Sequence, residues 1–205
     1  MNIARPVSSG NPCPFLRALV AQGLVNDDFQ PIGRLSDTIC EISRASDGGK
    51  PLPFLLVALI ALAANGLSPA QIWRNGQQGV HLSGLRGGPL DKRGVGSRVI
   101  GVDGEANEAQ LERLAGFGSM KTDSAGATEL GLDDAEIKRF MEANWERAAG
   151  NRRAIDRKLM DGEWPVLLQV LGKPGVGGRY LAIADIRRLV VDRALPERIA
   201  SRLKG

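Results

Sequence analysis

The chain has 205 residues, of which 43% are hydrophobic and 24% are charged, values close to the globular average. This length and composition predict a single domain over residues 1–205 and exclude general disorder. The formal net charge is +4, but basic and acidic residues are interleaved, so we do not expect a nucleic-acid partner. The longest apolar run, Phe54–Ala64, is shorter than the roughly 20 residues of a membrane span, and we see no secretory signal. We therefore expect a cytoplasmic protein without membrane contact.

The first half of the chain predicts helices separated by turns and followed by a long loop. A helix starts at Pro14 and stops at Gly23, because proline suits a first helical position and glycine a C-terminal one. Further helices are predicted from Ser36, over Phe54–Ala64 as a buried central helix, and after Ser68. Residues 75–104 are rich in glycine and predict an irregular loop with one short strand at 99–102.

The second half continues the helical pattern. Asp103 is predicted to cap a helix over 105–115, and Asp133 with Glu136 forms a capping box for the next helix. A helix from about 152 to 170 contains Pro165, and a last one covers 185–193. Residues 120–128 and 173–178 are read as loops. The predicted fold class is therefore all-α: a compact multi-helix domain with one long glycine-rich loop.

Cys13 is the residue whose sequence context most clearly indicates chemical reactivity. It precedes Pro14 at a predicted N-cap, where free backbone N–H groups and the helix dipole favour a thiolate. A thiolate is the form of cysteine that binds metal ions. The alternative is a structural cysteine buried at a tight turn. Cys40 falls on the apolar side of the second helix and is predicted to be part of the core.

The stretch Pro12-Cys13-Pro14-x-Leu16-x-Ala18-Leu19 with Gly23 and Val25 resembles the N-terminal signature of the haem-thiolate peroxidases, the fungal chloroperoxidases and unspecific peroxygenases. The resemblance implies a mostly helical domain around haem b. It also implies that the thiolate of Cys13 is the iron ligand. Pro12, Pro14, Phe15 and Leu16 would then border the haem.

A second motif of that family is similar to residues 106–113 of this chain, which share its alanine and its arginine at Ala109 and Arg113. Asn107 stands where the chloroperoxidases have the histidine that positions their catalytic acid. The resemblance thus places Asn107 and Arg113 at the site. Ala106 and Gln110 replace the family's magnesium-binding glutamate and serine, and because magnesium prefers hard oxygen ligands we do not expect this ion.

Glu163 resembles the distal acid–base glutamate of the family, since it lies in an apolar helical stretch at a comparable distance from the cysteine. Asp156 stands two helical turns earlier, where the peroxygenases have an arginine. A carboxylate on an apolar helix face loses hydration, which raises its pKa and suits proton transfer. The alternative is a surface glutamate beside Pro165. His81, the only histidine, is expected to be a surface residue, with proton transfer as the other possibility.

The resemblance implies an enzyme that uses hydrogen peroxide to oxidise a halide or oxygenate a small organic substrate. Cys13 would donate electron density to the iron and Glu163 would move the peroxide proton. Two other hypotheses are a haem-binding sensor or carrier without turnover, and a helical interaction module without a cofactor. The sequence does not distinguish a monomer from a dimer.

Overall fold

The computed structural model describes residues 5–64, 66, 79–92 and 94–203 of the chain. Within these ranges the helices are α1 Pro14–Ala21, α2 Ile32–Arg44, α3 Phe54–Ala64, α4 Glu108–Ala115, α5 Asp134–Arg147, α6 Ala154–Leu171, α7 Ile183–Val190 and α8 Glu197–Ala200. The strands are β1 Phe29–Pro31, β2 Gly79–His81, β3 Ser119–Thr122, β4 Thr128–Asp133, β5 Lys173–Gly175 and β6 Gly178–Ala182. The prediction of an all-α fold is wrong, because the chain forms a mixed α/β domain with two antiparallel sheets.

The larger sheet has four strands in the order β3-β4-β6-β5, and every neighbouring pair is antiparallel. It consists of two hairpin–helix units, β3-β4-α5 and β5-β6-α7, in which the helix follows directly on the second strand. The two units meet where β4 pairs with β6, and Leu132 lies opposite Leu181 in that pairing. Both leucines are almost completely buried, so the joined hairpins form one side of the hydrophobic core.

The two segments read as loops, 120–128 and 173–178, are the turns and strands of these hairpins. Asp123 closes the first turn, because its Oδ1 accepts hydrogen bonds of 2.9 Å from the N–H groups of Ala125 and Ala127. Gly131 is needed where the hairpins meet, since a Cβ there would lie 2.5 Å from the ring of Tyr180. Each strand has only three to six residues. Such short polar strands are stabilised by their partners and carry little periodicity of their own.

Helix α3 forms as predicted, but the expectation that it is central and buried is wrong. Only Val57, Ala58 and Ala61 among its residues are buried. Large apolar side chains on the rest of its surface are exposed: Phe54, Leu55, Leu56, Leu59 and Ile60. Among the described residues, no helix is both long and apolar enough to cross a bilayer. The cytoplasmic location stays a prediction.

Several element boundaries differ from the predicted ones. Helix α2 begins at Ile32 rather than at Ser36, and α4 is capped by Asn107 rather than by Asp103. Residues 99–102 form no strand; Ile100 makes an isolated bridge with Ala106. The glycine-rich segment instead contributes β2, which pairs with β1. The helix predicted after Ser68 lies outside the described residues. The capping box of Asp133 and Glu136 on α5 is confirmed, as is the buried position of Cys40.

Candidate functional site around Cys13 and Lys92

The turn that carries Cys13 is fixed by two buried polar residues. The side chain of Asn11 accepts a hydrogen bond of 3.2 Å from the N–H of Cys13. Arg17 is 1% exposed and donates to the carbonyl oxygens of Ser8, Asn11 and Gly104 over 2.6, 3.0 and 2.7 Å. Because these bonds tie three backbone segments to one guanidinium, the Cys13 turn has one defined conformation.

Cys13 is the N-cap residue of α1, and Pro14 is its first residue, as predicted. At the other end Gly23 has φ +74° and its N–H donates to the carbonyl of Val20, which closes the helix as expected. The sulfur makes no capping hydrogen bond of standard geometry. Burial raises the pKa of the Cys13 thiol, while the N–H groups of Leu16 and Phe15 and the charge of Lys92 oppose this shift without cancelling it.

Lys92 links Cys13 to Glu163. Its ammonium forms an ion pair with the Glu163 carboxylate on α6, and its side chain is only 14% exposed. Burial lowers the pKa of Lys92 to about 8, and the negative charges of Cys13, Asp91 and Asp156 act against this shift. The contact with Glu163 acts in the same direction as these charges, since a neighbouring carboxylate favours the ammonium. One buried amine is thus paired with Glu163 and acted on by Cys13, two of the residues that the sequence analysis placed at the site.

Asp156 lies on the same side of α6 as the Lys92 contact, and it is completely buried. Its carboxylate accepts hydrogen bonds of 2.6 and 2.9 Å from the guanidinium of Arg153 and of 2.8 Å from the Arg153 N–H. Its negative charge also acts on Lys92. A buried carboxylate that is paired in this way stabilises the start of α6 and contributes to holding the Lys92 ammonium nearby.

The other predicted site residues lie elsewhere or fill the core. Asn107 caps α4, where its side chain accepts a bond of 3.2 Å from the N–H of Gln110. Arg113 donates to Asn144 over 2.6 Å and stacks against two phenylalanine rings. Phe15 is buried in the core, and Leu16 packs against it. Within the described ranges, no contact joins Asn107 or Arg113 to Cys13, so the structure does not assemble the full predicted set.

His81 lies at the end of β2, with its Nδ1 3.2 Å from the Asp28 carboxylate. Half of its side chain is exposed. This position agrees with the expectation of a surface residue. A role in proton transfer at Cys13 gains no support from its contacts.

The arrangement around Cys13 gives haem binding no direct support. The resemblance makes Glu163 the acid on the far face of a haem ligated by Cys13. In the structure this carboxylate is paired with the Lys92 ammonium, whose charge also acts on Cys13. Haem binding by Cys13 stays a prediction.

Lys92, Asn11 and Arg17 are the important residues that sequence reasoning missed. Arg17 and Asn11 lie inside the motif that drew attention to Cys13, but their burial depends on carbonyl groups supplied by distant segments such as Gly104. Lys92 lies in the glycine-rich segment, which has no periodicity that indicates a buried face. Only the folded chain shows that this lysine is inside.

Among the described residues, no group of three or more histidine, cysteine, aspartate or glutamate side chains could hold a metal ion. Both cysteines are free thiols. No protein-family model, no curated protein and no solved structure matches the chain. The comparisons thus support no family assignment, and the resemblance of the Cys13 segment to the haem-thiolate peroxidases stays a prediction.

Proposed function

We propose that this protein reduces hydrogen peroxide directly with the thiol of Cys13, without haem, and that Lys92 assists the reaction. The observation that carries the proposal is the buried Lys92 ammonium, which is paired with Glu163 and whose charge opposes the rise in the pKa of the Cys13 thiol. A nearby cation favours the thiolate, which is the nucleophilic form. Cys13 is half-buried as a residue while burial of its sulfur raises the thiol pKa, so the site suits an oxidant as small as hydrogen peroxide.

The reaction is a two-electron oxidation of sulfur. The thiolate attacks one peroxide oxygen, the O–O bond breaks, and a sulfenic acid forms on Cys13. The other oxygen leaves as hydroxide. Lys92 takes the proton of the thiol and passes a proton to this hydroxide, so one thiol and one hydrogen peroxide give one sulfenic acid and one water. Burial lowers the pKa of Lys92 to about 8, which brings its neutral, proton-accepting form close to neutral pH.

Glu163 acts in this scheme as a positioning residue. Its carboxylate holds the Lys92 ammonium, whose charge acts on Cys13. The thiol is restored by a small thiol from outside the protein, which reduces the sulfenic acid through a mixed disulfide. Cys40 does not serve this purpose, because it is buried and its Sγ bonds to the carbonyl of Leu52 over 3.3 Å.

The test is to oxidise the protein with hydrogen peroxide and trap sulfenic acid with dimedone, followed by mass spectrometry of the intact protein and its peptides. We expect one adduct, on Cys13, in the wild type and in the control variant Cys40→Ser. Cys13→Ser should give none. Lys92→Met should react more slowly, because it removes the charge that opposes the rise in the Cys13 pKa and so lowers the thiolate fraction. Labelling that is absent from Cys13, or unchanged in Lys92→Met, would contradict the proposal.

An absorption spectrum separates this proposal from the haem-based prediction. Protein expressed with an ample supply of haem should show no Soret band, and its reaction with peroxide should not depend on haem. A Soret band that disappears in Cys13→Ser would show that Cys13 binds iron. That result would refute the proposal.

A further inference from the structure

An open cleft of about 520 Å³ lies beside the start of α6. Its lining consists of two glycines, one asparagine and three arginines: Gly94, Gly150, Asn151, Arg98, Arg152 and Arg153. No carboxylate belongs to this lining. The volume is in the range of small-molecule sites and larger than a single inorganic ion requires.

The positive charge of this region is not neutralised by nearby carboxylates. Arg152 donates to the Trp145 carbonyl over 2.9 Å and lies 4.4 Å from the centre of the Trp145 ring. Arg147, just behind the cleft, donates to the neutral acceptors Gln110 and Gly96 over 2.8 Å each. Within the described part of the chain, neither arginine forms a salt bridge, and Arg98 forms none either.

Arg98 of the cleft lies close enough to Arg147 for their charges to interact. Burial lowers the pKa of Arg147, and the charges of Arg113 and Arg98 lower it further. Arg153 is the exception in the group, because Asp156 neutralises it. A cluster of cations that is left uncompensated inside one region is unfavourable by itself, and an anion placed among them would relieve the repulsion.

A second cleft on the protein provides a comparison. Its lining contains two arginines, Arg187 and Arg188, but also three acidic residues: Asp185, Asp192 and Glu197. Arg188 contacts Glu197 over 2.7 Å, and Arg187 contacts Glu108 over 2.6 Å. Both arginines of the second cleft are thus paired with acids, whereas Arg98 and Arg152 of the first cleft form no salt bridge within the described residues.

One backbone feature fixes an arginine at the same place. Arg98 has φ +59°, a left-handed conformation that is rare for a residue with a side chain. Backbone strain of this kind is common at functional sites. The conformation also fixes the direction in which the Arg98 side chain leaves the backbone.

We propose that this cleft binds the phosphate group of a small phosphorylated compound, with Arg98 and Arg152 as its principal ligands. Arginine suits phosphate because its planar fork donates two parallel hydrogen bonds to phosphate oxygens. The open volume beyond one phosphate accommodates the organic part of the compound. This site is independent of the peroxide reaction at Cys13.

The test is isothermal titration calorimetry of the full chain with three probes: inorganic phosphate, pyrophosphate and glycerol 3-phosphate, at constant ionic strength. We expect saturable binding at one site. Tighter binding of glycerol 3-phosphate than of inorganic phosphate would support a phosphorylated organic ligand. If glycerol 3-phosphate binds no more tightly than inorganic phosphate, the proposal of an organic phosphate ligand is overturned and the cleft is a site for free phosphate.

The variants Arg98→Gly and Arg152→Gln should each weaken binding about tenfold or more, as expected for a lost hydrogen bond to a charged group. Arg98→Gly should also unfold at the same or a higher temperature, because glycine relieves the strain of the positive φ. Weakened binding in that variant is then not due to misfolding. Arg187→Gln, which removes an arginine already paired with Glu108, is the matched control and should bind like the wild type. Binding that is absent in the wild type, or equal in all four proteins, would overturn the proposal.

Discussion

Replacing Glu163 with glutamine should destabilise the protein, and the loss should depend on pH in a defined direction. The variant keeps the size of the side chain and removes only its charge, which leaves the Lys92 ammonium without its partner. Burial lowers the pKa of Lys92 from its ordinary value of 10.5 to about 8. That difference corresponds to about 3 kcal/mol, the cost of keeping the buried ammonium charged, and loss of the Glu163 carboxylate should raise this cost further.

Glu163 offsets part of this cost in the wild type. Its side chain is 31% exposed, so solvent screens the pair to some extent. We therefore expect Glu163→Gln to lower the free energy of unfolding by about 2 to 3 kcal/mol near pH 7, below the upper values for fully buried pairs.

The sign of the pH dependence follows from the folded-state pKa of Lys92 in the two proteins. It is about 8 in the wild type and should be lower in the variant, which lacks the carboxylate that favours the ammonium. Between these two values the folded wild type binds more protons than the folded variant, so the stability of the variant relative to the wild type rises with pH. The difference between wild type and variant should therefore shrink as the pH rises through about 8, where Lys92 becomes neutral in both. Burial raises the pKa of Cys13 in both proteins, and this contribution cancels in the difference.

Urea unfolding of both proteins at several pH values measures this difference. Glu142→Gln is a suitable control, because Glu142 pairs with Arg157 over 2.6 Å at the surface, where such a pair contributes less than about 1 kcal/mol. A stability difference for Glu163→Gln that stays constant from about pH 7 to 10, or that is no larger than the control's, would refute the reasoning.

Three further substitutions test other features of the fold by thermal or urea unfolding. Gly162→Ala should stabilise by about 0.5 to 1 kcal/mol, because a Cβ there meets no atom within 4 Å and alanine favours helix. A decrease would contradict the position of Gly162 on α6. Gly10→Ala should destabilise strongly, since its Cβ would lie 1.8 Å from the carbonyl oxygen of Ser83; wild-type stability would disprove that close approach. Asp133→Ala should cost about 1 to 2 kcal/mol, because it removes the side-chain acceptor of the Glu136 N–H in the capping box; no loss would mean that this cap contributes nothing.

The sequence by itself determined the local features of this protein. Pro14 and Gly23 fixed the two ends of α1, and Asp133 with Glu136 fixed the start of α5, because capping depends on residues within one or two turns. The apolar character of Phe54–Ala64 likewise predicted a helix. These signals involve neighbours in the chain, so a pattern of residues is sufficient to find them.

Tertiary structure decided the fold class and the composition of the site. The hairpins around Gly131 and Tyr180 are held together because β4 and β6 pair across about fifty residues of intervening chain. Strands this short have no sequence pattern of their own that predicts them. Lys92 became part of the site because the folded chain buries it and pairs it with Glu163 on α6. Cys13 could be identified from its neighbours in the sequence, whereas the lysine whose charge acts on it could be identified only in the folded chain.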